Sequence, residues 1–185
     1  MIPTFHTQRL ILKAPTEADI PAYERHIMNY EIVRHFNVIV PWPFPAGDIE
    51  NYVKNEIIAK QGQDDWVWGI FLNENPDELI GIVHLWRPGE PENRGFWLSQ
   101  HHWGKGYMTE AVKPIMDYAF DHLGFDKLVF SNATQNARSS RVKDNTGAMF
   151  VRTEPAKYID PELTERTVYE LTKSNWQIFK KEHHG

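Results

Sequence analysis

The sequence predicts an α/β protein with a mixed, mostly antiparallel sheet of about seven strands and helices on both faces. Three β-rich runs, at 66–72, 79–86 and 94–98, follow one another with Asn-Pro and Pro-Gly turn signals between them, which predicts an antiparallel meander. After Gly104 the apolar residues recur at helical spacing instead. A further strand then follows at 127–133, so strands and helices alternate in the second half of the chain.

The first part of the chain contains short elements around a proline-rich loop. Residues 9–13 form an apolar run typical of a strand, and the segment from Thr16 to about Asn29 begins with a capping pattern and early acids, as a helix does. Three prolines within residues 41–45 remove backbone donors, which excludes regular structure there. Asp48 can cap a second helix that runs to about Lys60, with apolar residues at helical spacing.

The later part predicts a crossover and a second helix. The stripe from Tyr107 to Phe120 predicts an amphipathic helix, although Pro114 inside it should cause a kink. The spacing of residues 94–133 suits a right-handed parallel strand–helix–strand crossover. The remaining elements are a helix from its cap Asn136 to its terminator Gly147, strands at 148–153 and 166–172, and a last helix capped by Ser174.

Composition and charge exclude or disfavour several kinds of site and partner. The 185 residues contain no cysteine, which excludes disulfides, thiolate metal sites and a cysteine nucleophile, and which fits a reducing compartment. A formal net charge of −5 disfavours nucleic acid as a partner. No apolar run approaches the roughly 18 residues of a membrane helix, and the N-terminus lacks a signal-peptide pattern. We expect one cytoplasmic domain, residues 1–185, without a membrane or nucleic-acid partner and either monomeric or homodimeric.

The turn between the third meander strand and the next helix has the composition of an anion site. In Trp103-Gly104-Lys105-Gly106-Tyr107, glycines let the backbone approach a phosphate, and the free N–H groups of a helix start point at it. The turn matches neither the GxxxxGK[ST] phosphate loop nor the GxGxxG dinucleotide fingerprint, which disfavours nucleotide hydrolysis and NAD. Taken alone, such a turn is more often a plain connection than a ligand site.

Two segments resemble the GNAT acetyltransferases. The run from Gly95 to Ala111 is similar to their acetyl-CoA loop, whose pattern is Gln/Arg-x-x-Gly-x-Gly/Ala. Residues 136–142, followed by Gly147, are similar to the Asn-x-x-Ser-x-Arg-Val…Gly segment of the branch that contains the ribosomal-protein alanine N-acetyltransferases of the Rim type. The resemblance implies a sheet splayed at its centre and an enzyme that transfers acetyl directly from acetyl-CoA, as co-substrate and without a metal, to a primary amine. The amine would belong to a protein N-terminus or to a small molecule.

The resemblance also implies which residues bind acetyl-CoA. Main-chain N–H groups from His102 to Thr109 would grip the diphosphate, the strand at 96–98 would pair with the pantetheine arm, and Asn136 would bond to that arm from the other side. The backbone N–H of Trp97 or Leu98 would hold the oxyanion, and Ser139 would serve the leaving sulfur. The expected cofactor-binding residues are Phe96, Trp97, Leu98, His102, Trp103, Gly104, Lys105, Gly106, Tyr107, Met108, Thr109, Asn136 and Ser139.

Three positions depart from the family pattern. His101 stands at the Gln/Arg position of the loop, and Lys143 stands where many relatives carry a tyrosine acid, four residues before the glycine that ends the helix. Asn93-Arg94 occupies a place where relatives often carry an acid. The general base is therefore open between Glu92, His84 and a water held by backbone carbonyls.

These departures keep other interpretations open. A non-catalytic acyl-CoA sensor would keep the loop and lose the acid and the base, and a structural domain would keep only a vestigial loop. Ser139 could equally be an ordinary residue of the first helical turn, and Asn136 could be only its cap.

Overall fold

The computed structural model describes residues 2–87 and 92–183. Within these residues, eight strands form two sheets in which every pairing is antiparallel. The strands are β1 (Phe5–His6), β2 (Leu10–Lys13), β3 (Asp65–Leu72), β4 (Asn75–Trp86), β5 (Arg94–Leu98), β6 (Lys127–Ala133), β7 (Met149–Pro155) and β8 (Glu165–Thr172). The helices are α1 (Ile20–Ile27), α2 (Tyr30–Val33), α3 (Asp48–Tyr52), α4 (Tyr107–Asp121), α5 (Ala137–Asp144) and α6 (Lys173–His183). The first sheet has the order β1-β2-β3-β4-β5, and the second has the order β6-β8-β7.

The helices cover both faces of the first sheet. One apolar core joins the sheets to α4, α5 and α6 through residues such as Val112, Val142 and Trp176. A second core lies between the first sheet and α1 to α3. Side chains of β5 alternate between them, since Leu98 belongs to the first core and Trp97 to the second. The predicted α/β class, with helices on both faces of a mostly antiparallel sheet, is confirmed.

The two sheets are joined at one end of β5 and β6 and then separate. The Asn93 N–H donates to the carbonyl of Val129 at 2.8 Å, and the Asn93 side-chain Oδ1 accepts from the Val129 N–H at 3.1 Å. Beyond these bonds the described residues of β5 and β6 share no strand pairing. The predicted splay lies here, and the additional eighth strand is the two-residue β1, which is too short for a periodic signal.

One turn signal was misplaced. The Asn-Pro signal at Asn75 lies inside β4, and the turn is formed by the two preceding residues, 73 and 74. The register shifts between Phe71 and Leu72, so Pro76 falls in an irregular stretch where its missing N–H costs no ladder bond. The Pro-Gly signal at 88–89 lies outside the described residues.

Several predicted helix boundaries were wrong. Asp48 is the first residue of α3 rather than its cap, because Gly47 precedes it with φ of 78°, and the helix continues as a π-helical turn, Val53–Ile58. Ser174 lies inside α6, where the Thr172 hydroxyl accepts from the Asn175 N–H at 3.1 Å instead. The helix predicted from Thr16 to Asn29 is a 3-10 turn, Glu17–Asp19, followed by α1, and α2 was not predicted. By contrast, α4 continues through Pro114 as predicted.

Candidate active site

Two glycines shape the turn between β5 and α4. Gly104 has φ of 74° and Gly106 has φ of 78°, both in the left-handed region that favours glycine. A Cβ atom at Gly104 would have nothing within 4 Å, and one at Gly106 would meet only Nη2 of Arg9 at 3.5 Å. The glycines are therefore required by the backbone path and not by crowding, and the outer side of the turn is open.

The first turn of α4 presents free backbone donors to this open side. Gly106 is the N-cap and has no side chain to cap the helix. The N–H of Glu110 donates to the carbonyl of Gly106 at 3.0 Å, which is the first bond within the helix. The N–H groups of Tyr107, Met108 and Thr109 consequently have no intrahelical acceptor. This 15-residue helix also directs the positive end of its dipole at the same place.

A brace from the segment between β1 and β2 fixes the turn. Arg9 donates from Nη1 to the carbonyl of Lys105 at 2.8 Å and from Nε to Glu110 Oε2 at 2.7 Å. The Arg9 N–H and the Thr7 hydroxyl both donate to Glu110 Oε1, at 2.8 and 2.6 Å. Partial burial pushes the pKa of Glu110 upward, but the hydrogen bonds from Thr7 and Arg9 outweigh it and hold that pKa below its usual value. Sequence reasoning missed this brace because no local pattern pairs residues 101 positions apart.

Trp103 connects the loop to elements on both sides of the splay. Its indole Nε1–H donates to the carbonyl of Leu98 at 2.7 Å. The guanidinium of Arg138, on α5, lies 3.8 Å from the centroid of the Trp103 ring. Beside it, partial burial and the positive charge of Lys105 lower the pKa of His102. The residues of the two motifs are therefore in contact through side chains as well as being close in the fold.

The strand alternation of β5 decides which backbone groups face the splay. The Ser99 N–H donates to the carbonyl of Ile80 on β4 at 2.7 Å. Because an antiparallel ladder alternates, the N–H of Trp97 also points toward β4, whereas the N–H groups of Phe96 and Leu98 point away from it. Of the two candidate oxyanion donors, Leu98 is the one whose N–H faces the splay.

The same alternation applies to β6 on the other side. The Thr134 N–H donates to the carbonyl of Glu165 beside β8 at 3.0 Å, which leaves the backbone groups of Ser131 and Ala133 directed toward β5. Beyond Asn93 the two strand edges face each other. The carbonyls of Leu98 and Ala133 are bonded to the Trp103 indole N–H and to the Asn136 N–H, so the backbone N–H groups of these two residues are the ones left for a ligand. An extended ligand with its own amides can satisfy such edges.

Helix α5 brings Asn136, Ser139 and Lys143 into one chain of hydrogen bonds. Asn136 Oδ1 accepts from the Ser139 N–H at 3.2 Å, so its predicted capping role is confirmed. The Ser139 hydroxyl oxygen accepts from Lys143 Nζ at 2.8 Å. Ser139 is 9% exposed and Lys143 is 2% exposed, so this bond is buried. The i, i+4 spacing of Ser139 and Lys143 could have predicted their contact from the sequence, but nothing in the sequence predicted that both are buried.

Two buried basic side chains, Lys143 and Arg94, lie beside the splayed edges. Lys143 Nζ lies 5.3 Å from the centroid of the Phe96 ring. The guanidinium of Arg94 lies 3.7 Å from the centroid of Phe130, donates from Nη1 to Met116 Sδ at 3.4 Å, and leaves Nε and Nη2 without a partner. Burial lowers the pKa of Arg94 to about 9. Burial, with the charge of Arg94, lowers the pKa of Lys143 well below its usual value.

The two candidate bases have different surroundings. Glu92 accepts a short hydrogen bond from the Ser131 hydroxyl, so its carboxylate connects the start of β5 to β6 at the closed end of the splay. Burial and the charge of Glu92 raise the pKa of Tyr158 to about 12. His84 on β4 bonds through Nε2 to Asp65 Oδ1 at 2.7 Å and packs against Trp86, one strand farther from β6. Of the two side chains, Glu92 is the one in contact with both diverging strands.

A depression lies beside the loop on the face covered by α1 and α2. It has a volume of about 560 Å³, and its lining includes His26, Asn29 and Gln100. Across residues 2–87 and 92–183, no helix is long and apolar enough to span a membrane. The same residues contain no group of three or more side chains suited to hold a metal ion.

Comparison with known proteins agrees with this geometry. The family model described as "Acetyltransferase (GNAT) domain" matches residues 9–149. The uncharacterised N-acetyltransferase p20 of Bacillus licheniformis is 25% identical over 146 residues, 75% of this chain and 78% of that protein. The acetyltransferase structure from Agrobacterium tumefaciens strain C58 has a TM-score of 0.72 at 25% identity and covers 94% of this chain and 96% of its own. The structure of RimL, a ribosomal L7/L12 alpha-N-protein acetyltransferase, in complex with coenzyme A has a TM-score of 0.77 at 17% identity, with coverages of 92% and 98%. At that identity, the likeness to RimL shows a shared fold.

Proposed function

Since this chain belongs to the GNAT family of acetyltransferases, we propose that it transfers the acetyl group of acetyl-CoA directly to a primary amine. The observation that carries the proposal is the open turn at Gly104 and Gly106, where the uncapped start of α4 adjoins the splayed edges of β5 and β6. A diphosphate needs donors without side chains in the way, and a pantetheine arm needs unpaired strand groups. Both requirements meet at adjacent places in this fold.

The binding residues follow from that arrangement. The N–H groups of Tyr107, Met108 and Thr109 hold the diphosphate, and the exposed side chain of Lys105 adds positive charge beside it. The pantetheine amides pair with Phe96 and Leu98 on one side. On the other side, Asn136 offers its side-chain NH₂ group, because its Oδ1 is already used by the helix cap.

The chemistry requires three groups around the acetyl carbon. A neutral amine must attack, so Glu92 accepts its proton at the closed end of the splay, where the carboxylate is held by Ser131. The Leu98 N–H donates to the carbonyl oxygen as negative charge develops on it. The leaving sulfur then needs a proton, for which we assign the Ser139 hydroxyl on α5, which is buried and bonded to Lys143.

The acceptor belongs to one of two classes, a protein N-terminus or a small-molecule amine. The structural likeness to RimL, which acts on a ribosomal protein, favours the first class as the starting point of a screen. We also propose that residues 1–185 form one domain, since β8, beyond the matched region, pairs with β6 and β7 inside the second sheet. The cytoplasmic location and the choice between a monomer and a homodimer stay predictions from the sequence.

The test combines calorimetry with thioester turnover. Acetyl-CoA should bind, and its consumption should require an amine from a panel of peptides with free alanine or serine N-termini, amino acids, amino sugars and polyamines. If acetyl-CoA binds but no amine of the panel is acetylated, the protein is an acyl-CoA sensor and not an enzyme. If CoA neither binds nor raises the thermal stability, which should increase by about 2.7 kcal/mol at a hundredfold excess over Kd, the loop is vestigial.

A further inference from the structure

We propose that Lys143 is a positioning residue behind Ser139: it holds the hydroxyl oxygen and passes a proton through it to the sulfur that leaves the acetyl group. This inference rests on the proposed acetyl transfer. It assigns a function to the lysine that stands where many relatives carry a tyrosine acid, and it explains how the chain protonates the thiolate without that tyrosine.

The first argument is geometric. Lys143 Nζ donates to Ser139 Oγ at 2.8 Å, so the hydroxyl oxygen is occupied and its own hydrogen is left to point elsewhere. Lys143 also lies 5.3 Å from the ring of Phe96, a residue on the strand edge where the pantetheine arm pairs. The bond therefore lies between α5 and the proposed path of the thioester.

The second argument is that the fold gains little from a buried lysine at this position. Among the described residues, no carboxylate forms an ion pair or a hydrogen bond with Lys143, and the side chain is only 2% exposed. A buried charge without a bonded counter-ion is costly, and an apolar side chain of similar volume usually serves stability better. A role in the reaction would account for a lysine at this buried position.

The proton step balances as follows. When the tetrahedral intermediate collapses, the bond between carbonyl carbon and sulfur breaks, and its electron pair goes to sulfur. The Ser139 hydroxyl gives its proton to that sulfur, while one Nζ proton of Lys143 moves to Ser139 Oγ. Lys143 is left as a neutral amine and regains a proton from solvent, and the proton that the acceptor amine loses leaves through the base.

The electrostatic surroundings suit a group that must give up a proton near neutral pH. Burial lowers the pKa of Lys143, and Arg94 on β5 lowers it further, whereas Glu92 and Asp144 act in the opposite direction. From β8, the ring of Tyr169 lies 5.8 Å from Nζ. A lowered pKa makes the ammonium group of Lys143 a stronger acid, and a stronger acid gives its proton to a thiolate more readily.

The experiment compares Lys143→Met, Lys143→Tyr and Ser139→Ala, each alone and the first combined with the third. The probe is the amine that the wild-type protein acetylates fastest. Lys143→Met should lower kcat on the order of tenfold and leave KM for acetyl-CoA unchanged, and Lys143→Tyr should restore most of the loss. The double variant should be no slower than Ser139→Ala, because both residues act in one step.

A pH profile separates this role from a merely structural one. In the wild-type protein, kcat should fall as pH rises through the lowered pKa of Lys143, and Lys143→Met should lose that decline. Lys181→Met, which replaces an exposed lysine on α6, is the matched control and should behave as the wild type. Calorimetric binding of CoA by each variant shows that the fold is intact.

The outcomes separate the inference from the proposed function. An active wild type with unchanged kcat and an unchanged pH profile in Lys143→Met overturns the inference alone. A wild type that binds CoA and acetylates no amine overturns the proposed function, and the inference with it. If Lys143→Met fails to bind CoA, Ser139→Ala becomes the test. If the relay exists, the kcat of Ser139→Ala must no longer decline at high pH, and a decline that persists overturns the inference.

Discussion

The two ends of the candidate site are built differently. At the loop, the groups that we propose for the diphosphate are main-chain N–H groups, and the side chains of Arg9 and Glu110 hold the backbone in place. At the acetyl end, the notable groups are the buried side chains of Ser139, Lys143 and Arg94. The comparison teaches that the proposed binding at the loop depends on backbone geometry, whereas the proposed chemistry at the acetyl end depends on individual buried side chains.

The largest expected loss of acetyl-CoA affinity comes from Gly106→Val at the loop end. Its φ of 78° is unfavourable for a β-branched residue, and the new side chain would enter the open side where we propose that the diphosphate binds. We expect the affinity for acetyl-CoA to fall about a hundredfold, which corresponds to about 2.7 kcal/mol. Isothermal titration calorimetry measures this change.

Gly124→Val is the matched control for that variant. Gly124 has φ of 72° and equally open surroundings, but it lies beyond the other end of α4. It should lose similar stability and keep its affinity. Equal affinity losses in both variants would show that the effect comes from strain and not from the diphosphate.

Removing the brace tests whether the backbone of the loop must be held. Arg9→Met loses the hydrogen bonds to the carbonyl of Lys105 and to Glu110, which leaves the carboxylate with fewer donors. We expect acetyl-CoA affinity to fall about tenfold, or about 1.4 kcal/mol, with a smaller change in kcat. Arg25→Met removes an exposed arginine that pairs with Glu78 and serves as the control, to be measured by the same titration. An unchanged Kd in Arg9→Met would mean that the loop keeps its shape without the brace.

The smallest expected effect is at the acetyl end and concerns the free energy of unfolding. Here, replacing Lys143 should stabilise the protein, whereas the loop variants lose affinity. The pKa of Lys143 is lowered in the folded state, so the unfolded chain binds its proton more tightly. Wild-type stability should therefore rise with pH between that lowered pKa and the ordinary lysine value of 10.5. Lys143→Met should be more stable near neutral pH, by about 1 kcal/mol, and lose its advantage as pH approaches that value.

Urea unfolding at pH 7 and at pH 9.5 checks this prediction. A variant less stable than the wild type at both pH values would mean that the ammonium group supports the fold, which contradicts a lysine retained for its chemistry.

Much of the fold could be predicted because local signals were strong. The stripe of α4 outweighed Pro114, and the bounds of β5 and β6 were predicted to the residue. Caps were less predictable, since Gly47 and not Asp48 precedes α3, and the hydroxyl of Thr172 and not of Ser174 accepts from the first turn of α6.

The candidate site was predictable only where it depends on the main chain. Glycines and a helix start indicate free donors in the sequence itself, and the Asn136 cap followed from its residue type. The brace between Arg9 and Glu110 and the burial of Arg94 depend on contacts between distant segments, for which one sequence contains no signal. The placement of the ligand on these residues stays a prediction.

Asn93 gives the splay a fixed vertex. Its two bonds to Val129 fasten the sheets beside the bond between Ser131 and Glu92, and from that vertex toward the loop β5 and β6 are no longer paired, so we expect the space between their edges to widen in that direction. A wedge-shaped space of this kind admits a ligand that is bulky at one end and slender at the other, and it leaves least room beside the vertex. The size of the acyl group that the protein accepts should therefore depend on Asn93 together with the neighbouring bond between Glu92 and Ser131, and Asn93→Ala should broaden the range of acyl-CoA chain lengths that bind.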